Sequence, residues 1–313
     1  MFIYTYKGRD KEKVPEETNV VKFASSIKII RFGAFSKCES IILIDIPPSV
    51  EVIEDEAFCS CRSLTNVFMP SSVKIIEFGA FSECSSLTNI DIPSSVETIE
   101  YQAFEKCSSL TSIKIPPSIK SIEEYTFSEC SSLTNVDISP SVEIIAFGAF
   151  EHCTSLTSIN IPPSVKIIGS FAFSGCNSLQ SIKIPPFVET IQFRAFHGCR
   201  SLKNVYIPPS VHTIERWAFM FCTSLEKVYL SKNSNFDKTS FPESVKLIYA
   251  WNEVGPYIFL RQLVQTKRAY ERPMNLDNDD SDLQVIQKFI TITNDDIFKN
   301  VLEFLISNAF HVS

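Results

Sequence analysis

The chain has 313 residues, 44% of them apolar, enough to bury a large core and too many for a disordered tail. Its 29 Lys+Arg against 36 Asp+Glu leave a net charge of −7 and a pI near 5.3, which argues against a surface built to coat nucleic acid or anionic membrane. With 8 glycines and 4 histidines, no GxGxxG or GxxxxGK[ST] phosphate cradle can be assembled, and little remains for metal or triad chemistry.

Residues 2–6 (FIYTY) read as an opening strand. The charged stretch 7–13 cuts short any secretory leader, which needs an apolar run of about 7–15 residues. Val21 and Phe23 stand in register with strand positions further along, so residues 1–23 are expected to form a β cap over an otherwise open sheet edge. No apolar run is long enough for a membrane span, and no Asn-x-Ser/Thr acceptor occurs. Together these features point to a soluble protein of a reducing compartment, the cytoplasm.

Residues 24–230 are a repeat. Cys38, Cys61, Cys84, Cys107, Cys130, Cys153, Cys176, Cys199 and Cys222 are spaced 23 apart, and a phenylalanine column from Phe35 to Phe219 keeps the same period. One unit reads [IM]-P-x-S-V-x-x-I-x-x-x-A-F-x-x-C-x-S-L-T-x-[VI]-x, and a fixed period of this length means stacked supersecondary units. In S-L-T-N-V-F-M, Val67 and Met69 fall on one face of a short strand. The proline that follows, Pro70 in this unit, has no N–H to pair and ends the strand. Val73 and Ile76 begin a second extended or turn segment. Ala-Phe-x-x-Cys-x-x-Leu has the spacing of one to two helical turns. Successive strands should pair in parallel about 4.8 Å apart.

The segment L-x-x-[VI]-x-[IM]-P matches the first half of the leucine-rich repeat L-x-x-L-x-L, and with A-F-x-x-C-x-x-L it resembles the BspA-type subclass. The resemblance covers about two-thirds of the chain. It implies a right-handed leucine-rich-repeat superhelix, with a parallel β-sheet on its concave face, that binds other macromolecules; known relatives include adhesive surface proteins. One departure concerns the strand exit. Many leucine-rich repeats carry Asn-x-Leu there, whereas this chain carries Ser-Val, so Ser26, Ser49, Ser72, Ser95, Ser118, Ser141, Ser164 and Ser210 are candidates for the buried asparagine ladder's role. Phe187 interrupts that run.

Beyond Leu230 the register fails, and residues 231–253 form an irregular final half-repeat. Residues 254–313 show helical spacing and read as a small helical cap or docking segment, opening its last helix at Asn294, Asp295 and Asp296. The acidic run 277–282 lacks the Gly and Glu of a calcium loop and reads as a solvated linker.

Candidate chemistry is sparse. The ladder cysteines have neither the paired spacing of a zinc site nor a histidine beside them, so they read as small apolar filler, with Cys59 as an exposed extra thiol. Glu54, Glu77, Glu100 and Glu123 occupy one repeat position and read as a solvated outer face, or else as a strip for a basic partner. No catalytic residue, metal or cofactor is expected.

The outward strand positions carry more information. They run Lys22, Asp45, Phe68, Asp91, Lys114, Asp137, Asn160, Lys183, Tyr206 and Tyr229, turning aromatic and basic toward the C-terminal end. Lys183, Lys203, Tyr206, Lys227 and Tyr229 are therefore the expected partner-binding residues, with Phe68 as a second contact near the other end. The expected function is a non-catalytic protein-binding scaffold whose partner is another protein, an acidic or phosphorylated one fitting the lysines. The alternative is a surface or secreted adhesin.

Overall fold

The structure is a computed structural model that describes residues 2–249. The expected helical segment 254–313 lies outside the described residues. Each 23-residue unit makes one turn of a parallel β-solenoid and contributes two short strands. The first row includes Leu43–Asp45, Asn66–Phe68, Ser181–Lys183, Asn204–Tyr206 and Lys227–Tyr229, and it forms the concave sheet. The second row includes Val52–Ile53, Ile75–Ile76, Ile144–Ile145 and Thr213–Ile214. Pairing is parallel and in register with the repeat: Leu43 lies beside Asn66, and Ser181 beside Asn204. The final turn is shorter, so Lys227 lies beside Lys246.

At the N-terminal end, Ile3–Tyr6 pairs in parallel with Val20–Phe23. Tyr6 is fully buried, and its ring meets Phe35 at 5.0 Å, closing the aromatic column. Its hydroxyl accepts the Arg31 N–H at 2.8 Å, so the buried polar tip has a hydrogen-bond partner.

The core is built from columns. From Phe35 to Phe219 the rings stack from turn to turn with centroids 4.9 to 5.6 Å apart and planes within 15°, and all are fully buried. Each ring removes a phenylalanine side chain from water, about 1.5–3 kcal/mol of favourable transfer. The ring spacing follows the strand spacing, since one ring enters per turn. Prolines do more than stop strands: the Pro47, Pro70 and Pro93 carbonyls accept the N–H of Val50, Val73 and Val96 at 3.0, 3.2 and 3.0 Å, closing a tight turn.

The helical spacing of Ala-Phe-x-x-Cys-x-x-Leu does not become a helix. In the unit holding Phe58, the N–H groups of Ala57, Cys59 and Cys61 donate three residues back, to Glu54, Glu56 and Phe58. Those of Glu56, Phe58 and Ser60 donate instead to the next turn, to Phe78, Ala80 and Ser82, each at 2.8 Å. Glu56 and Ser60 take φ of 53° and 59°, which a right-handed helix forbids. A helix would spend every N–H inside its own turn. Here half of them bind the solenoid together.

Five of the eight candidate serines act as a ladder, whereas the buried Ser49 and Ser210 hydroxyls have no hydrogen-bond partner among the described residues. Ser72, Ser95, Ser141 and Ser164 donate to the carbonyls of Val50, Val73, Ile119 and Val142 at 2.6, 2.9, 2.8 and 2.6 Å, and Ser118 does the same to Val96. Each hydroxyl satisfies an acceptor of the preceding turn that no strand pairing reaches.

Candidate binding face

The register brings the expected C-terminal cluster together. Lys183 pairs with Tyr206, and Tyr206 with Tyr229, so the three stand on consecutive strands of one column. Strand alternation decides their direction: Val205 and Val228 between them are fully buried, which turns the tyrosines outward. The two rings stack at 4.5 Å with planes 9° apart. Both are half-buried, and stacked they form one plate in place of two separate rings. Burial raises the Tyr206 phenol above its ordinary pKa, and the neighbouring Tyr229 hydroxyl adds to the effect.

Lys183, Lys203 and Lys227 are exposed around the plate. Lys246 pairs with Lys227 and Ile248 with Tyr229, extending both the basic and the apolar edge. Sequence reading missed these two because the shortened last turn hides their register. Phe68 is not part of the cluster. It occupies the same column six turns earlier, about 29 Å away at the usual strand spacing. It is 58% exposed and lies near Ile42 and Leu43, which are 60% and 46% exposed. That second apolar patch is legible in S-I-I-L-I (residues 40–44), where the next unit has S-L-T-N-V.

Other candidates resolve differently from their sequence reading. Cys59 is half-buried, with its thiol 3.8 Å from the Ser60 hydroxyl and its pKa raised mainly by burial, rather than an open surface thiol. The glutamate column is partly buried and does structural work. Glu54 accepts the Phe32 N–H at 2.8 Å, Glu77 that of Asp55 at 3.2 Å, and Glu215 that of Phe193 at 2.7 Å. Gln192 in the same column accepts from Ser170 at 3.0 Å without a charge, while Ala146 and Gly169 fill the column with no acceptor side chain.

The ladder thiols are more than filler. Each from Cys61 to Cys222 donates to the carbonyl of the phenylalanine 26 residues earlier, at 3.0 to 3.2 Å. Burial raises the thiols from Cys61 to Cys199 and holds them in the protonated, unreactive form; Cys176 is pushed up to about 12.

A sequence model of the BspA type Leucine rich repeat region matches six copies along the chain, over residues 16–134, 51–162 and 120–248. The chain belongs to the BspA-type leucine-rich repeat family. Among solved structures, this BspA-type chain is similar to a leucine rich cell surface protein of Faecalibacterium prausnitzii, at 27% identity over 79% of this chain and 78% of that one, with a TM-score of 0.51. It is also similar to leucine-rich repeat proteins of Bacteroides ovatus, at 27% identity over 79% and 83% with a TM-score of 0.48, and of T. pallidum, at 30% identity over 59% and 78% with a TM-score of 0.42. No curated protein matches the chain. Among the described residues, no helix is long and apolar enough to cross a membrane.

Proposed function

We propose that this BspA-type repeat protein is a non-catalytic scaffold that holds another protein on its concave face, at the C-terminal cluster of Lys183, Lys203, Tyr206, Lys227 and Tyr229. The stacked Tyr206–Tyr229 plate carries the reading. Two large amphipathic rings stand outward, already ordered against each other, so docking on them costs little side-chain entropy. Four ammonium groups around the plate, Lys246 included, favour an acidic or phosphorylated partner. The thiols, the residue type with the greatest nucleophilic potential here, are engaged as buried donors, which supports binding over catalysis. A cytoplasmic setting fits their use as free thiols, because a disulfide would remove the S–H donor.

The test is affinity purification from the native host with the parent and with the Tyr206→Ala/Tyr229→Ala double variant. The expected result is partner capture weakened by at least about 2 kcal/mol in affinity, the hot-spot scale, with little change in melting temperature. Equal capture by both proteins defeats the assignment. The second reading, a surface adhesin, draws on the similarity to a cell surface protein; surface labelling of intact host cells decides between the two.

A further inference from the structure

Lys28, Lys74 and Lys166 each meet a glutamate of an adjacent turn. The four lysines around the tyrosine plate do not. Lys183, Lys203, Lys227 and Lys246 are exposed and form no ion pair among the described residues. The segments 181–183, 203–206, 226–229 and 246–248 hold these four lysines and one carboxylate, Glu226, an excess of three positive charges on a chain whose net charge is −7. Lys227 and Lys246 are register partners on adjacent strands, about 4.8 Å apart at the backbone, where like charges repel. Glu226 is held between its neighbours by its backbone: its N–H donates to the Lys203 carbonyl and its carbonyl accepts the Lys246 N–H, both at 2.9 Å. Its carboxylate pairs with neither lysine.

The kind of donor present narrows the kind of anion. Strand alternation puts Lys227 on the same face as Tyr229, and Lys246 on the same face as Ile248. The Tyr206–Tyr229 stack, with planes 9° apart, holds the two phenol hydroxyls side by side at the rim of the plate. No third residue is hydrogen-bonded to either hydroxyl among the described residues. The donors are therefore ammoniums and hydroxyls, with no arginine in the four segments. A carboxylate is planar, carries one charge and is matched best by the fork of a guanidinium. A phosphate monoester carries roughly −1.5 to −2 charges near neutral pH and three strong acceptor oxygens, which ammoniums can meet as point charges from several sides.

We propose that the docked protein presents a phosphorylated side chain to this cluster, with the phosphate held by Lys227 and Lys246 and bordered by Lys183, Lys203 and the two phenol hydroxyls. The inference rests on the concave cluster being the docking face and narrows its partner to the phosphorylated form of a protein. One phosphate relieves the repulsion that Lys227 and Lys246 carry in the free protein. It also delivers nearly two charges for the ordering of a single side chain, whereas two carboxylates require two side chains to be fixed. Binding at such a face is switched by modification, because the unmodified hydroxyl of the partner brings no charge to the lysines.

The test uses the purified full chain and two synthetic glycine pentapeptides, one with phosphoserine at its centre and one with glutamate there. Ligand-detected NMR titration near neutral pH and at low salt measures both affinities. The phosphoserine peptide is expected to bind about tenfold or more tighter than the glutamate peptide. Lys227→Ala/Lys246→Ala should abolish most of that difference, while Lys28→Ala/Lys120→Ala, on the outer charge column, should leave it within about twofold. Melting curves of both variants check that the solenoid remains folded. Equal affinity of the two peptides, binding of neither, or an equal loss in both variants overturns the proposal. Inorganic phosphate that binds as tightly as the phosphoserine peptide also overturns it, and assigns the lysines to a free anion. The affinity purification reads the scaffold assignment separately: tyrosine-dependent capture from phosphatase-treated extract removes the phosphate and leaves the scaffold standing.

Discussion

The Cys130 thiol donates to the Phe104 carbonyl across 3.2 Å, and the same carbonyl accepts the Cys107 N–H of its own turn, also at 3.2 Å. One oxygen thus joins a turn to itself and to its successor. Cys130→Ala removes the second of these bonds and leaves a small void, which should cost about 1–3 kcal/mol. Cys130→Ser separates the two contributions. If the column needed only an apolar filler, serine would be worse than alanine. Because it uses a donor, serine should be no worse, as chemical denaturation of the three proteins will show.

The same ladder sets an alkaline limit on stability. An unfolded thiol ionises near 9.0, whereas Cys38 and Cys176 in the fold are pushed up to about 12 by burial. Between those values the unfolded chain has lost protons that the folded chain keeps. Stability is therefore fully present below about pH 9 and falls as pH rises through the window toward 12. Replacing Cys176 with alanine should flatten the fall, measured as denaturation midpoint against pH. Intact mass in non-reducing solution should show ten free thiols, and a mass two hydrogens lower per pair contradicts the reduced ladder.

Phe127 lies in the middle of the ring stack, 5.6 Å from Phe104 and 5.5 Å from Phe150. Phe127→Ala should cost about 3–5 kcal/mol. Turns touch only their neighbours, so the loss should be seen as local opening around residues 104–150 before global melting. Hydrogen exchange reads this directly. Uniform loss of protection from end to end would mean that the solenoid behaves as one cooperative block.

A charge column alternates in sign along the repeats as Lys28, Glu51, Lys74, Glu97, Lys120, Glu143, Lys166 and Glu189. Stacked neighbours meet as pairs: Lys28 with Glu51 at 2.5 Å, Lys74 with Glu97 at 3.6 Å, and Lys166 with Glu143 at 2.7 Å. Lys74→Glu puts like charges on three successive turns and should destabilise by a few tenths to about 1 kcal/mol at low ionic strength. In 1 M salt most of the effect should vanish. A cost independent of salt would point to packing of the lysine stem instead.

What each side chain does was largely readable from the repeat. A 23-residue period marks Phe58, Cys61 and Leu64 as inward, because in a stacked array any position that stays apolar in every turn has the same neighbours above and below. The outward column with Tyr206 and Tyr229 followed from the alternation of one short strand. The backbone between Ala57 and Leu64 was not readable in this way. Apolar spacing reports which side chains face the core, and a helix and a chain of left-handed turns can present the same face. Their difference lies in where the N–H groups go. Those of Glu56, Phe58 and Ser60 go to the next turn, an acceptor that exists only once the turns are stacked.

The same division explains the remaining surprises. Glu77 reads as a solvated charge in sequence and becomes an acceptor for the Asp55 N–H because stacking carries an unpaired donor to it. Lys246 and Ile248 join the tyrosine cluster only because the last turn shortens and resets the register. Sequence alone determined the period, the inward columns and the alternation of charge, since those are properties of the repeat unit. Tertiary structure decided the hydrogen-bond partners and the composition of each surface cluster, since those depend on residues about 23 positions apart meeting across the gap between turns.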